Sequence, residues 1–219
     1  MEPANGCREA NVKKKKTLTF GGILLVLLAL FFQFLLPEQE PQISQTSVEK
    51  SAVSSEIDEV DLSDPPRFEK IKVNTIRNVD GDTFAFMARG QEYKLRLLMV
   101  DTPESVKRGV AVQPFGKEAS DFTKQQLTRG QVSLVFDKGE VQDQYQRFLA
   151  YVYVGDELLQ DKLLENGLAV VRYVNDGGKT YVTELLAAQQ KAQDEKRGVW
   201  SQSGYVKKTA KGYYMFEEQ

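Results

Sequence analysis

Asp80-Gly-Asp-Thr-Phe-Ala-Phe-Met-Ala-Arg-Gly-Gln-Glu-Tyr-Lys-Leu-Arg-Leu97 holds two runs of alternating apolar and polar residues, Thr83 to Phe86 and Tyr93 to Leu97, on either side of an Arg89-Gly90 turn. Period-two alternation interrupted by a glycine turn predicts a β-hairpin with one face buried. The stretch also begins with acids, ends at an arginine and runs on into Met99-Val-Asp-Thr-Pro-Glu104. Strand pattern and reactive side chains are therefore interleaved from the start.

Outward from this hairpin, Lys70 to Val73 alternates, Val132 to Phe136 is a short apolar run, and Phe148 to Val154 completes a set of five strands. Phe115, Ala119, Phe122 and Gln126-Leu127 fall at helical spacing, as do Leu159, Leu163 and Leu164 before a stop at Gly167. A third helix is expected to start at Thr180 as N-cap, to turn Leu185, Leu186, Ala188 and Ala192 inward, and to end at Gly198. Five short strands with three helices predict a mainly β domain of the α+β class, a small barrel with helices.

Five charged residues, Asp82, Arg96, Asp101, Glu104 and Arg147, lie within this region. Carboxylates can hold a hard divalent cation, guanidiniums can clamp a phosphate from two sides, and one acid is left to handle a water. That set suits phosphodiester cleavage. Singly, each residue has an ordinary explanation: Asp82 follows Gly81 in a turn, Asp101 and Glu104 flank a strand-ending Thr102-Pro103, Arg96 fits an exposed strand position, and Arg147 can open a strand. The combination is what carries the reading.

Composition narrows the chemistry further. The 219 residues include no histidine and one cysteine, Cys7. A Ser/His/Asp triad, a histidine-based nuclease and zinc sites of His and Cys are excluded. Oxygen-ligand chemistry remains, favouring calcium or magnesium.

The N-terminal third reads as appendages. Residues 1–16 form a basic tail ending in Lys13 to Lys16, followed by an uncharged, mostly apolar run over 17–36. Twenty residues at ~1.5 Å each reach about 30 Å, enough to cross a bilayer as one helix. Lysines before the span predict a cytoplasmic N-terminus and a single-pass protein with its folded part outside the cytoplasm. Cleavage as a signal peptide, giving a secreted form, is the competing reading, but the run exceeds the usual ~7–15-residue signal core and Gln33-Phe-Leu-Leu-Pro37 lacks small residues for a peptidase. Residues 37–66 carry eight acids against the single Lys50, a net of −7, with no aromatic residue, and are expected to be a disordered acidic linker. The chain's net charge of −2 thus hides +2 over 67–219, from 23 Lys and Arg against 21 Asp and Glu. Local clusters, more than that total, would have to attract a polyanion.

From Phe68 to Trp200 the motifs Asp80-Gly-Asp-Thr83, Arg96-Leu-Leu-Met-Val-Asp101-Thr-Pro-Glu104, Phe115-Gly-Lys-Glu-Ala119, Asp137-Lys-Gly139, Asp143-Gln-Tyr-Gln-Arg147 and Gly198-Val-Trp200 resemble, in order and spacing, the staphylococcal nuclease family. The resemblance implies a nuclease-like domain over 67–200 with a five-stranded oligonucleotide-binding (OB) barrel and three helices. It implies Asp82, Asp101 and the backbone carbonyl of Thr102 around calcium, with magnesium the lesser candidate. It also implies Arg96 and Arg147 on the scissile phosphate and Glu104 on the attacking water. The expected activity is endonucleolytic hydrolysis of DNA and RNA, single strands preferred, leaving 3′-phosphates, by a monomer.

Tyr145 and Tyr173 match positions lining the family's nucleotide pocket, and are equally ordinary surface aromatics. Lys107 and Arg108 follow the Glu104 motif and could touch backbone phosphates or simply sit in a solvated loop. The chain departs from the family where Gln144 replaces a common lysine, Gln146 a glycine and Asn175 a tyrosine, which bears on affinity more than on chemistry. A barrel of this kind can also lose catalysis and serve as a nucleic-acid- or protein-binding module tethered to the membrane. The tail, 201–219, either adds a basic contact through Lys207, Lys208 and Lys211 or frays.

Overall fold

The computed structural model describes residues 55–106, 111–174 and 178–217. The basic tail, the expected membrane span over 17–36 and the linker as far as residue 54 lie outside the described residues, as do Lys107, Arg108 and Asn175.

Three antiparallel strands come first, β1 (Ile71–Asn78), β2 (Thr83–Ala88) and β3 (Gln91–Leu97), then the short β4 (Val100–Asp101). Helix α1 (Gly116–Leu127) leads to β5 (Val132–Val135), β6 (Phe148–Val154) and β7 (Glu157–Leu158). Helix α2 (Leu159–Glu165), β8 (Val170–Val171), helix α3 (Val182–Asp194), β9 (Val206–Lys208) and β10 (Tyr214–Phe216) complete the chain. The order β3-β2-β1-β5-β6 closes on itself because β3 also pairs with β6, in parallel, with Leu95 opposite Phe148. The five expected strands thus form a closed barrel without a free edge, which removes the usual hazard of edge-to-edge pairing.

The interior is filled by the residues whose alternation predicted the strands: Phe84, Phe86, Leu95, Leu97, Leu134, Phe148 and Ala150 are all buried. Phe86, Tyr93 and Phe148 meet with ring centroids 5.6–5.8 Å apart, stacked and edge-on, which adds aromatic attraction to the burial.

Helix α3 differs from the expectation at both ends and in its face. It begins after Tyr181, because the Thr180 hydroxyl donates to Asp137 Oδ1 at 2.8 Å instead of capping the helix. It stops at Asp194, and Gly198 opens a 3₁₀ turn over Gly198–Ser201. Leu186 is exposed, and Gln189 takes an inner position, where its Oε1 accepts the Val171 N–H at 2.8 Å. A buried amide is tolerated because that bond satisfies it. Gly167 and Gly198 pack backbone to backbone: a Cβ on Gly198 would lie 2.1 Å from the Gly167 carbonyl oxygen.

Part of the segment expected to be a disordered linker is folded, and so is the C-terminal tail, for which a basic contact and fraying both stood open. In the stretch assigned to the linker, Glu56–Asp58 forms a 3₁₀ turn, Ile57 is fully buried in the main core, and the Glu56 carboxylate accepts the Lys72 N–H at 3.0 Å. One isoleucine entering the apolar core, with the Glu56 carboxylate bonded to Lys72 of β1, helps to hold an otherwise polar segment. In the tail, β9 and β10 pair antiparallel, with Phe216 opposite Val206.

Candidate active site

The β2–β3 register sets the first part of the site. Thr83 stands opposite Arg96, so Asp82, one residue before β2, lies beside the arginine. Arg96 Nη2 donates to Asp82 Oδ2 at 3.1 Å and to Asp101 Oδ1 at 2.8 Å. Asp101 ends β4, opposite Val170 in β8, and Arg172 just beyond β8 donates Nη1 to Asp101 Oδ2 at 2.9 Å. Arg172 carried no signal in the sequence, since nothing before folding joins it to a carboxylate 71 positions away.

These charges are partly desolvated. Burial pushes the Asp101 carboxyl up to about 6, and the Asp82 charge adds to the rise against the pull of Arg96 and Arg172. Burial works against the Arg96 charge, but Asp82 and Asp101 more than offset it and hold the guanidinium above its ordinary value. Asp80 is pushed up to about 7 by burial; the Ser105 hydroxyl and the Gly81 N–H oppose this, while Glu104 and Asp82 add to it.

Glu104 is held through its backbone. Its N–H donates to Gln113 Oε1 at 2.8 Å, and its carbonyl accepts the Gln113 N–H at 2.9 Å. The start of α1 presses against it: a Cβ on Gly116 would lie 2.5 Å from the Glu104 carbonyl oxygen.

Arg147 is set by an Asp143 turn. Asp143 Oδ1 accepts the N–H groups of Tyr145 and Arg147 at 2.9 and 3.0 Å, and Oδ2 accepts Arg147 Nε at 2.7 Å. Burial would raise the Asp143 carboxyl, but these bonds to Arg147 and Tyr145 outweigh it and hold it below the usual range. Gln146 occupies the left-handed region at φ 61°, the conformation a glycine adopts at least cost.

Asp82, Arg96, Asp101, Thr102, Glu104, Tyr145, Arg147 and Tyr173 all line one groove of about 740 Å³. Tyr145 and Tyr173 are exposed at its rim. The guanidinium carbons of Arg96 and Arg172 lie 4.5 and 4.7 Å from the Tyr173 ring centroid, within cation–π range.

The donor set fits a hard cation. Asp82 Oδ2 and Asp101 Oδ1 converge on a single guanidinium nitrogen and so on one region of space. Among the described residues no three His, Cys, Asp or Glu side chains gather into a metal cage. Two carboxylates, the Thr102 carbonyl and water would have to complete the shell, an all-oxygen set of the kind calcium and magnesium take.

A closed five-stranded barrel with three helices, bearing an open groove of carboxylates and guanidiniums, defines a mixed α/β protein of the OB type. The chain matches the family model of staphylococcal nuclease homologues over residues 94–202. It is 46% identical over 126 residues to a thermonuclease of Staphylococcus hyicus, covering 58% of this chain and 73% of that one. It is 41% identical over 136 residues to endonuclease YncB of Bacillus subtilis (strain 168), covering 62% of this chain and 64% of that one. The SPbeta prophage-derived endonuclease YokF of the same organism is 41% identical over 138 residues, covering 63% and 47%. The chain belongs to the staphylococcal nuclease homologue family. The match spans less than two thirds of the length of the two Bacillus relatives.

Proposed function

We propose that this protein is a calcium-dependent endonuclease that hydrolyses phosphodiesters of DNA and RNA and leaves 3′-phosphate ends. The observation that carries this reading is the convergence of Asp82 and Asp101 on Arg96 in the groove that also holds Glu104 and Arg147. Membership in a family whose named relatives include a thermonuclease and endonucleases supports it.

Asp82, Asp101 and the Thr102 carbonyl would hold the cation, with magnesium a weaker substitute. When bound, the ion supplies Lewis-acid stabilisation of the negative charge that builds on the phosphate. Arg96 and Arg147 donate to the non-bridging oxygens, whose charge is greatest in the five-coordinate transition state. Glu104 orients a water or accepts its proton as the water oxygen attacks phosphorus. The phosphorus–O5′ bond breaks in line, giving a 3′-phosphate on one fragment and a 5′-hydroxyl on the other. Tyr145 and Tyr173 offer faces on which unpaired bases stack, so single strands are the preferred substrate. Lys107 and Arg108 would add contacts to backbone phosphates. The protein works as a monomer, anchored through residues 17–36 with the domain outside the cytoplasm. Lys13 to Lys16 before an apolar run of twenty residues support that orientation.

The test uses full-length protein on single-stranded DNA, duplex DNA and RNA, with calcium, magnesium or chelator, beside Arg147→Ala and Glu104→Gln. Calcium-dependent cutting that both substitutions cripple, with 3′-phosphate ends, is the expected result. Binding without cleavage under every metal would overturn it in favour of a binding module. Protease access to the domain on intact cells, lost on converting Lys13 to Lys16 to glutamate, tests the orientation.

A further inference from the structure

The C-terminal hairpin of β9 and β10 lies outside the barrel but is not an ornament on it. Tyr205 and Phe216 are buried with Val170 and Val199 in a second small core, with Phe115 and Trp200 at its margin. The Tyr205 ring stacks on Phe216 at 5.5 Å. Two lines run from this core to the groove. In the first, the Tyr205 hydroxyl donates to the Pro114 carbonyl at 2.8 Å, and the next residue back, Gln113, grips Glu104 at both its N–H and its carbonyl. In the second, Val170 stands directly opposite Asp101 in the β4–β8 pair.

Glu104 needs such support because it belongs to no strand or helix, and its backbone is tied across to Gln113 rather than into a ladder. Phe115, which joins that tie to α1, is in the left-handed region at φ 65°, a conformation that persists only where its surroundings impose it. We infer that the C-terminal hairpin is a positioning device for the groove, with Tyr205 acting through Pro114 and Gln113 as a positioning residue for Glu104. The inference rests on the nuclease reading for its catalytic consequence. A misplacement of the order of an ångström at a reacting group can cost about a hundredfold in rate, so a partial loosening should be visible.

The test uses full-length Tyr205→Phe, which removes one hydroxyl and keeps the ring stack. With calcium and single-stranded oligodeoxynucleotide, kcat should fall about tenfold with KM unchanged, and the same change in a Glu104→Gln background should have no further effect. Hydrogen exchange of the Glu104 amide should speed about tenfold, while that of the barrel amide of Leu95 stays as it was. Gln113→Ala, which breaks the next link and leaves the hairpin whole, should reproduce both effects. Unchanged exchange at Glu104 in Tyr205→Phe overturns the inference, whatever Gln113→Ala does, as does an equal loss of rate with and without the Glu104 carboxylate. An inactive wild type would count against the nuclease reading alone, since the exchange measurement still decides the positioning.

Discussion

Arg96 Nη2 lies 2.8 Å from Asp101 Oδ1 and 3.1 Å from Asp82 Oδ2, so one guanidinium nitrogen ties together two carboxylates from separate elements. A lysine there would put all its donors on one nitrogen and lack the planar fork, which can hold both acids at one nitrogen and turn the others to a phosphate. Arg96→Lys is expected to lower kcat about 10²–10³-fold, the range seen when one transition-state donor is removed. Steady-state cleavage of a single-stranded substrate checks it, and an activity near wild type would remove Arg96 from the chemistry.

Calcium should stabilise the folded chain. An ion that binds the native state and not the unfolded one adds about 2.7 kcal/mol at a hundredfold excess over its Kd. At about 2–4 °C per kcal/mol for a chain of this size, Tm should rise by several degrees, and Asp101→Asn should abolish most of the shift. A thermal melt with and without chelator is sufficient.

Asp137 gives the acid limb of stability. Burial would raise its carboxyl, but the Lys138 and Thr180 N–H groups and the Thr180 and Tyr151 hydroxyls donate to it and hold it below the usual carboxylate value. Its folded pKa is therefore lower than its unfolded one, near ~3.9, so its stabilisation is complete above that pH and is lost as pH falls through the folded value. Asp137→Asn should cost about 1–3 kcal/mol at pH 7 and flatten the loss of stability below about pH 4. Urea denaturation at several pH values measures both.

Gln146→Gly should stabilise the fold by up to about 1 kcal/mol, because φ 61° strains a residue with a Cβ, although glycine's extra freedom in the unfolded chain offsets part of the gain. Chemical denaturation would show it, and a loss of stability would mean that the Gln146 side chain makes a contact outweighing the strain.

Ile57→Ala should cost about 2–5 kcal/mol, the usual range for emptying a buried site of this size, even though the residue lies in a segment of acidic, linker-like composition. A chain truncated before Arg67 should lose at least as much. If either change is neutral, residues 55–66 do not belong to the folded unit.

Much of the barrel was legible in the chain because each strand is short and has one buried face, so Phe84, Phe86, Leu95 and Leu97 announce themselves by alternation. The five charged residues were legible as a set because they are crowded into motifs whose spacing survives folding. Gln160 and Gln189 were not, since a buried amide looks like a surface residue until Val152 and Val171 appear beside it as donors.

The sequence by itself determined the five barrel strands, the presence of three helices and the family, because these depend on local period and local motif. Only the tertiary structure decided that Arg172 joins Arg96 on Asp101, that Asp143 holds Arg147, that Ile57 belongs to the core and that the Tyr205 hydroxyl reaches the Pro114 carbonyl. Contacts such as Arg172 to Asp101 and Tyr205 to Pro114 join positions 71 and 91 apart. Their energy depends on burial and on a partner's position, and neither exists until the barrel has closed.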